Sequence, residues 1–133
     1  MSKQIAILLC CTACLCADIG AAHHAPFIYD IEDERIMTGT VEAFEWVQPH
    51  TWVSLKTLDP DGKVTRWKLE GMSPLYLGQR GWNRYSLEQG DEIQVAYFPR
   101  RDGTLEGMFI RATLSDGSLK VMAITSPRRD TDR

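Results

Sequence analysis

SPLYLGQRG, residues 73–81, is the one stretch of this 133-residue chain that reads as helix among strands. Ser73 stands where a side-chain oxygen can accept from the first free amides of a helix. Pro74 then fits the first helical position, where a missing N–H costs nothing. Gly78 and Gly81 stop the helix after one or two turns. Working outward from it, three strand patterns precede the helix and two, with a final short one, follow.

Upstream, MTGTVEAFEWV (37–47) is rich in β-branched and aromatic residues but changes parity. Met37 and Val41 share one face, whereas Phe44 and Trp46 fall on the other. Such a switch within one long strand predicts a bulge or strong coil near Ala43, with Gly39 relieving crowding. Pro49 closes that strand, and TWVSLKTL (51–58) is the second. DPDGK (59–63) is a hairpin turn returning into VTRWKLEG (64–71).

Downstream, DEIQVAYF (91–98) alternates Ile93, Val95 and Tyr97. After the RRDGT turn, GMFIRATL (107–114) puts Met108, Ile110, Ala112 and Leu114 on one face. SDG turns the chain into LKVMAI (119–124). A coiled first strand, a meander to strand three, a helix and a closing hairpin is the order of a small OB-like β-barrel of five or six strands. The expected inward set is Val41, Val53, Leu55, Trp67, Leu69, Ile93, Val95, Ile110 and Leu114.

The first 22 residues read as something else. A basic start, the apolar run IAILLCCTACLCA and small residues Gly20, Ala21 and Ala22 describe a secretory signal peptide. The run is short for a membrane span. The expected organisation is therefore a leader over 1–22, an N-terminal arm over 23–35, a barrel over 36–125 and a disordered polar tail over 126–133. All four cysteines lie in the leader, so the mature chain has no thiol chemistry in its expected periplasmic or secreted compartment. Lipid attachment at Cys14, after Cys11–Thr12–Ala13, is the alternative processing. Removing residues 1–22 takes away Lys3 and Asp18, one charge of each sign, so the net charge stays −3. A mildly acidic exported domain has little electrostatic reason to bind nucleic acid. The remaining chain, roughly 110 residues, is long enough to bury its own core.

The run AHH after the leader, then TGTVEAFEWVQPHTWVSL, WKLEGMSP and RGWNRYSLEQGDEIQV, resembles a family of small exported bacterial proteins. That family is known only as a domain of unknown function. Its pattern includes a double histidine at the mature N-terminus and T-G-x-V-x-x-F-x-W-x-N-P-H-x-W, with Gln48 here where Asn is commoner. The resemblance spans His23 to about Val121. It implies an exported small β-barrel and supplies no activity.

Three histidines, His23, His24 and His50, are the neutral nitrogen ligands available. Imidazole suits copper, zinc and nickel, and export removes competing cytosolic thiols. Cleavage after Ala22 makes His23 the first residue, so its amine and ring hold one metal with His50 as a third ligand. Cleavage after Ala21 gives Ala-His-His, which suits square-planar Cu(II) or Ni(II). The plainer alternative is a polar arm, with His50 capping a strand end through a backbone carbonyl.

A second candidate is a surface. Trp52, Ser54 and Lys56 share one face of the second strand, and Arg66, Lys68 and Glu70 one face of the third. In OB-like barrels these strands form the usual binding face. Trp46, Trp52, Lys56, Arg66 and Lys68 are then a basic, aromatic-edged surface for a protein, an anionic sugar or a headgroup. The alternative is a solvated outer face. Trp67 and Trp82 read as packing residues, and Arg80 and Arg84 as caps of helix-end carbonyls. No nucleophile elbow, paired-carboxylate spacing, P-loop or zincin motif appears, so no catalytic residue is expected. A copper oxidase of the histidine-brace kind would share the ligands without further support.

Overall fold

The computed structural model describes residues 28–123. His23, His24, Cys14, the expected leader and the polar tail lie outside the described residues. The elements are β1 (Arg35–Glu45), β2 (Trp52–Leu58), β3 (Val64–Glu70), α1 (Pro74–Gly78), β4 (Glu92–Pro99), β5 (Glu106–Leu114) and β6 (Leu119–Val121). Antiparallel pairs run in the order β3-β2-β1-β4-β5-β6, and a parallel β3–β5 pairing closes the first five into a barrel. β6 is an added strand on the outside of β5. This is the OB-like arrangement expected from the sequence.

β1 makes the closure possible because it serves two neighbours in turn. Its first half, Arg35–Thr40, pairs with β4, and its second half, Thr40–Glu45, pairs with β2. The ladder to β2 skips a residue between Val41 and Ala43, which leaves Glu42 as a bulge. That bulge restores the parity: Val41 is buried, and Met37, Phe44 and Trp46 all pack on the same core. Gly39 passes so near β2 that a Cβ there would lie 2.9 Å from the Lys56 carbonyl oxygen. At the β2–β3 turn the Asp59 carboxylate accepts from the Lys63 amide at 2.7 Å, and Gly62 takes φ 78°. A left-handed residue costs glycine little, which is why the DPDGK turn works.

α1 closes one end. The Ser73 hydroxyl accepts from the Tyr76 amide at 3.2 Å, with Pro74 in the first turn as the sequence indicates. Leu77 from the helix, with Trp82 and Leu87 from the following loop, joins Val53, Leu55, Leu69 and Phe109 in the main core. The Trp82 indole N–H is satisfied by the Val121 carbonyl at 2.9 Å.

β5 departs from the simple alternation. Its ladder with β4 pairs Ala96 with Arg111 and Tyr97 with Phe109, leaving Ile110 as an extra residue. The bulge turns Phe109 into the main core, fully buried, and sends Ile110 and Met108 to the opposite face. The expectation that Ile110 lines the interior with Leu114, on one face with Met108 and Ala112, is therefore corrected: Ala112 and Leu114 join the main core and Ile110 and Met108 do not. The physical reason lies far along the chain: the amides of Met122 and Ala123 both donate to the Ile110 carbonyl, at 2.8 and 3.0 Å, and hold the bulge.

On that opposite face Ile110, Ala96 and Phe98 form a second cluster, covered by Ile28 and Tyr29 from the segment before β1. This segment is zipped to the end of β4. The Asp30 amide donates to Pro99 O at 2.8 Å, and the Arg101 amide to Ile28 O at 2.9 Å. β4 is thus buried on both faces from Val95 to Pro99. Among the described residues no helix is long and apolar enough to cross a membrane.

Candidate functional site

The end of the barrel where β2 begins and β3 finishes is locked by two neighbours of His50 and Glu70. Thr51 is fully buried. Its hydroxyl donates to Met72 O at 2.9 Å, and its carbonyl accepts from the Gly71 amide at 2.8 Å. A Cβ on Gly71 would meet Met122 Sδ at 2.2 Å and Thr51 Oγ1 at 2.4 Å, so glycine alone permits this approach. His50 and Glu70 therefore project from anchored backbone.

The Glu70 carboxylate is the centre of the site. One oxygen accepts from the Tyr29 hydroxyl, the other contacts His50 Nδ1. The carboxylate is 14% exposed and the imidazole 42%. An acceptor-only carboxylate places the proton on Nδ1, so the neutral ring keeps its lone pair on Nε2. A carboxylate behind a histidine is the arrangement that orients metal-ligating imidazoles and raises their basicity.

Burial pushes the Tyr29 phenol well above its ordinary value of 10.0, and the Glu70 carboxylate beside it pushes the same way. Tyr29 is therefore a permanent donor to Glu70 at physiological pH. Because the folded phenol holds its proton more tightly than the unfolded one, its contribution to stability is complete below pH 10.0. It is lost as pH rises from there towards the folded value. Denaturant midpoints measured between neutral pH and about pH 11 are expected to fall more steeply for the wild type than for Tyr29→Phe. Equal slopes would remove Tyr29 from the alkaline transition.

The outer face of β2 and β3 brings together Trp52, Ser54 and Lys56 with Glu70, Lys68 and Arg66, cross-strand pairs in register. Part of the expected basic character is offset by β1. Arg66 is paired with Glu42 at 3.0 Å and Lys68 with Glu45 at 3.5 Å, while the Lys68 ammonium also lies 5.0 Å over the Trp52 ring. The Glu42 bulge and Glu45 come from a strand whose register the local pattern of β2 and β3 does not reveal. Trp46 is not on this face; it packs edge-on against Phe44 at 5.8 Å. Trp67 and Trp82 take their expected packing roles, against Tyr97 and Phe109. Arg80 does cap a helix-end carbonyl, that of Tyr76 at 3.1 Å.

A family model described as "Family of unknown function (DUF6152)" matches residues 11–130, nearly the whole chain. The chain belongs to that family. No curated protein and no solved structure matches it.

In this DUF6152 chain, no set of three His, Cys, Asp or Glu side chains that could hold a metal ion converges among the described residues. His50 supplies one nitrogen, and Glu70 is already occupied by Tyr29 and His50. A metal held by His50 would need further ligands from outside residues 28–123. Sequence reading missed Glu70 and Tyr29 as members of the site. Glu70 looked like one more polar residue on an outer strand face, and Tyr29 sits in a segment read as an arm outside the barrel. An aromatic tyrosine in FIYD, amid a polar arm, was the available signal.

Proposed function

We propose that the protein is an exported accessory module that binds copper through His23, His24 and His50. One observation supports this above the others: His50 is held by Glu70 through Nδ1, which presents Nε2 outward, and the same carboxylate holds Tyr29. Tyr29 is the start of the described chain's path back to the two histidines. His24 stands only five positions before it and His23 six. An extended chain covers at most about 3.6 Å per residue, so the His24 and His23 Cα atoms are tethered within roughly 18 and 22 Å of the Tyr29 Cα. Export into a compartment without cytosolic thiols leaves imidazole a competitive ligand for Cu(II).

Titration of the mature protein with Cu(II) tests this. A single tight equivalent is expected, weakened by an order of magnitude or more in His23→Ala and again in His50→Ala. Unchanged affinity in both variants would sink the joint site. The intact mass of the secreted protein fixes which residue begins the mature chain and whether lipid is attached at Cys14. The other reading, a protein- or glycan-binding face on β2 and β3, has less behind it because Arg66 and Lys68 are already paired with Glu42 and Glu45.

A further inference from the structure

A groove of about 370 Å³ opens between the end of α1 and β6. We propose that it binds a small organic carboxylate with an apolar body. Tyr76, Trp82 and Leu119 supply apolar walls, and Arg80 and Lys120 stand on the same groove. Its volume is within the range of small-molecule sites.

The two cations are held in place without being neutralised. The Arg80 guanidinium lies 3.5 Å over the Tyr76 ring while Nη1 donates to Tyr76 O. The Lys120 ammonium lies 5.6 Å over the Trp82 ring. Arg66, Lys68, Arg100, Arg101 and Arg111 each have a carboxylate within ion-pair distance. Among the described residues Arg80 and Lys120, like Lys56, Lys63 and Arg84, form no such ion pair. Asp116, on the turn entering β6, is the acid whose charge Lys120 feels, and its carboxylate accepts from the Ser118 amide at 2.8 Å.

Two like charges on one groove repel, and an anion between them relieves that repulsion. Arginine's planar fork matches the two oxygens of a carboxylate. The Trp82 N–H is already taken by Val121 O, so the indole acts as a wall and leaves recognition of charge to the cations. Aromatic faces and the Leu119 side chain, which is 60% exposed, suit an apolar body over a bare inorganic anion. His50 and Glu70 take no part, so this site stands or falls apart from copper binding.

The test uses 4-phenylbutyrate, 4-phenylbutanol and inorganic phosphate as probes, followed by the Gly81 and Val121 amide resonances. Saturable shifts are expected with 4-phenylbutyrate in the millimolar range or below. The neutral alcohol, which lacks the charge, and phosphate, which lacks the body, are each expected to bind about tenfold more weakly. Arg80→Gln and Lys120→Gln, checked as folded by their amide spectra, should each weaken phenylbutyrate about tenfold. Lys56→Gln, on the outer face of β2, should leave it unchanged. Equal binding of acid and alcohol, tighter binding of phosphate, no saturable shift, or folded variants with undiminished affinity would each overturn the proposal.

Discussion

Phe109→Ala is expected to cost about 3–5 kcal/mol, a large share of the stability of a domain this size. The ring is fully buried and meets Trp82 edge-on, with centroids 6.4 Å apart. Removing it takes away the transfer free energy of a whole aromatic side chain and leaves a cavity. Leu69, Leu77 and Val95 of the same core cluster belong, with β5 itself, to four different elements and cannot collapse together. Met108, its chain neighbour, is the control. Met108 is half-buried against the second cluster, so Met108→Ala is expected to cost roughly 1 kcal/mol. Urea midpoints for the two variants decide between the bulged strand and a strictly alternating one. With strict alternation Met108 would be the interior residue and the order of the two effects would reverse.

Glu70→Gln is expected to weaken Cu(II) binding by about 10- to 100-fold, the usual effect of removing a carboxylate behind a ligating histidine. The amide keeps one acceptor oxygen and gains a donor. It can accept from the Tyr29 hydroxyl or from His50 Nδ1–H, but no longer from both. If its NH₂ faces Nδ1, the imidazole proton shifts to Nε2, the nitrogen that the proposed site offers to copper. Calorimetric titration of Glu70→Gln, His50→Ala and the double variant reads this directly. Glu70 acts through His50, so the double variant should bind no more weakly than His50→Ala alone. An additive loss would mean that Glu70 contributes by another route. Folding should also suffer, by about 1–3 kcal/mol, because a partly buried polar group loses a partner.

The parts of this fold that were legible in the sequence share one property: their cause is local. The Ser73–Pro74 start of α1 depends on a side chain meeting an amide three residues on. The turn at Gly62 depends on its own backbone angle. The bulge in β1 was readable because Met37, Val41, Phe44 and Trp46 all had to reach one core, and parity along a single strand records that demand. With these in order, the helix between the third and fourth strands was enough to indicate an OB-like barrel.

Tertiary structure decided the features whose causes are distant in the chain. Nothing in GMFIRATL marks Ile110 as a bulge, because the amides that hold it belong to Met122 and Ala123. Nothing near Lys68 or Arg66 shows that β1 brings Glu45 and Glu42 against them. The candidate site has the same character. His50 stood out as a residue type, yet its orientation depends on Glu70, twenty residues later, and on Tyr29, twenty-one residues earlier. A histidine's identity is written locally, but which of its nitrogens faces outward is set by the carboxylate that folding places behind it.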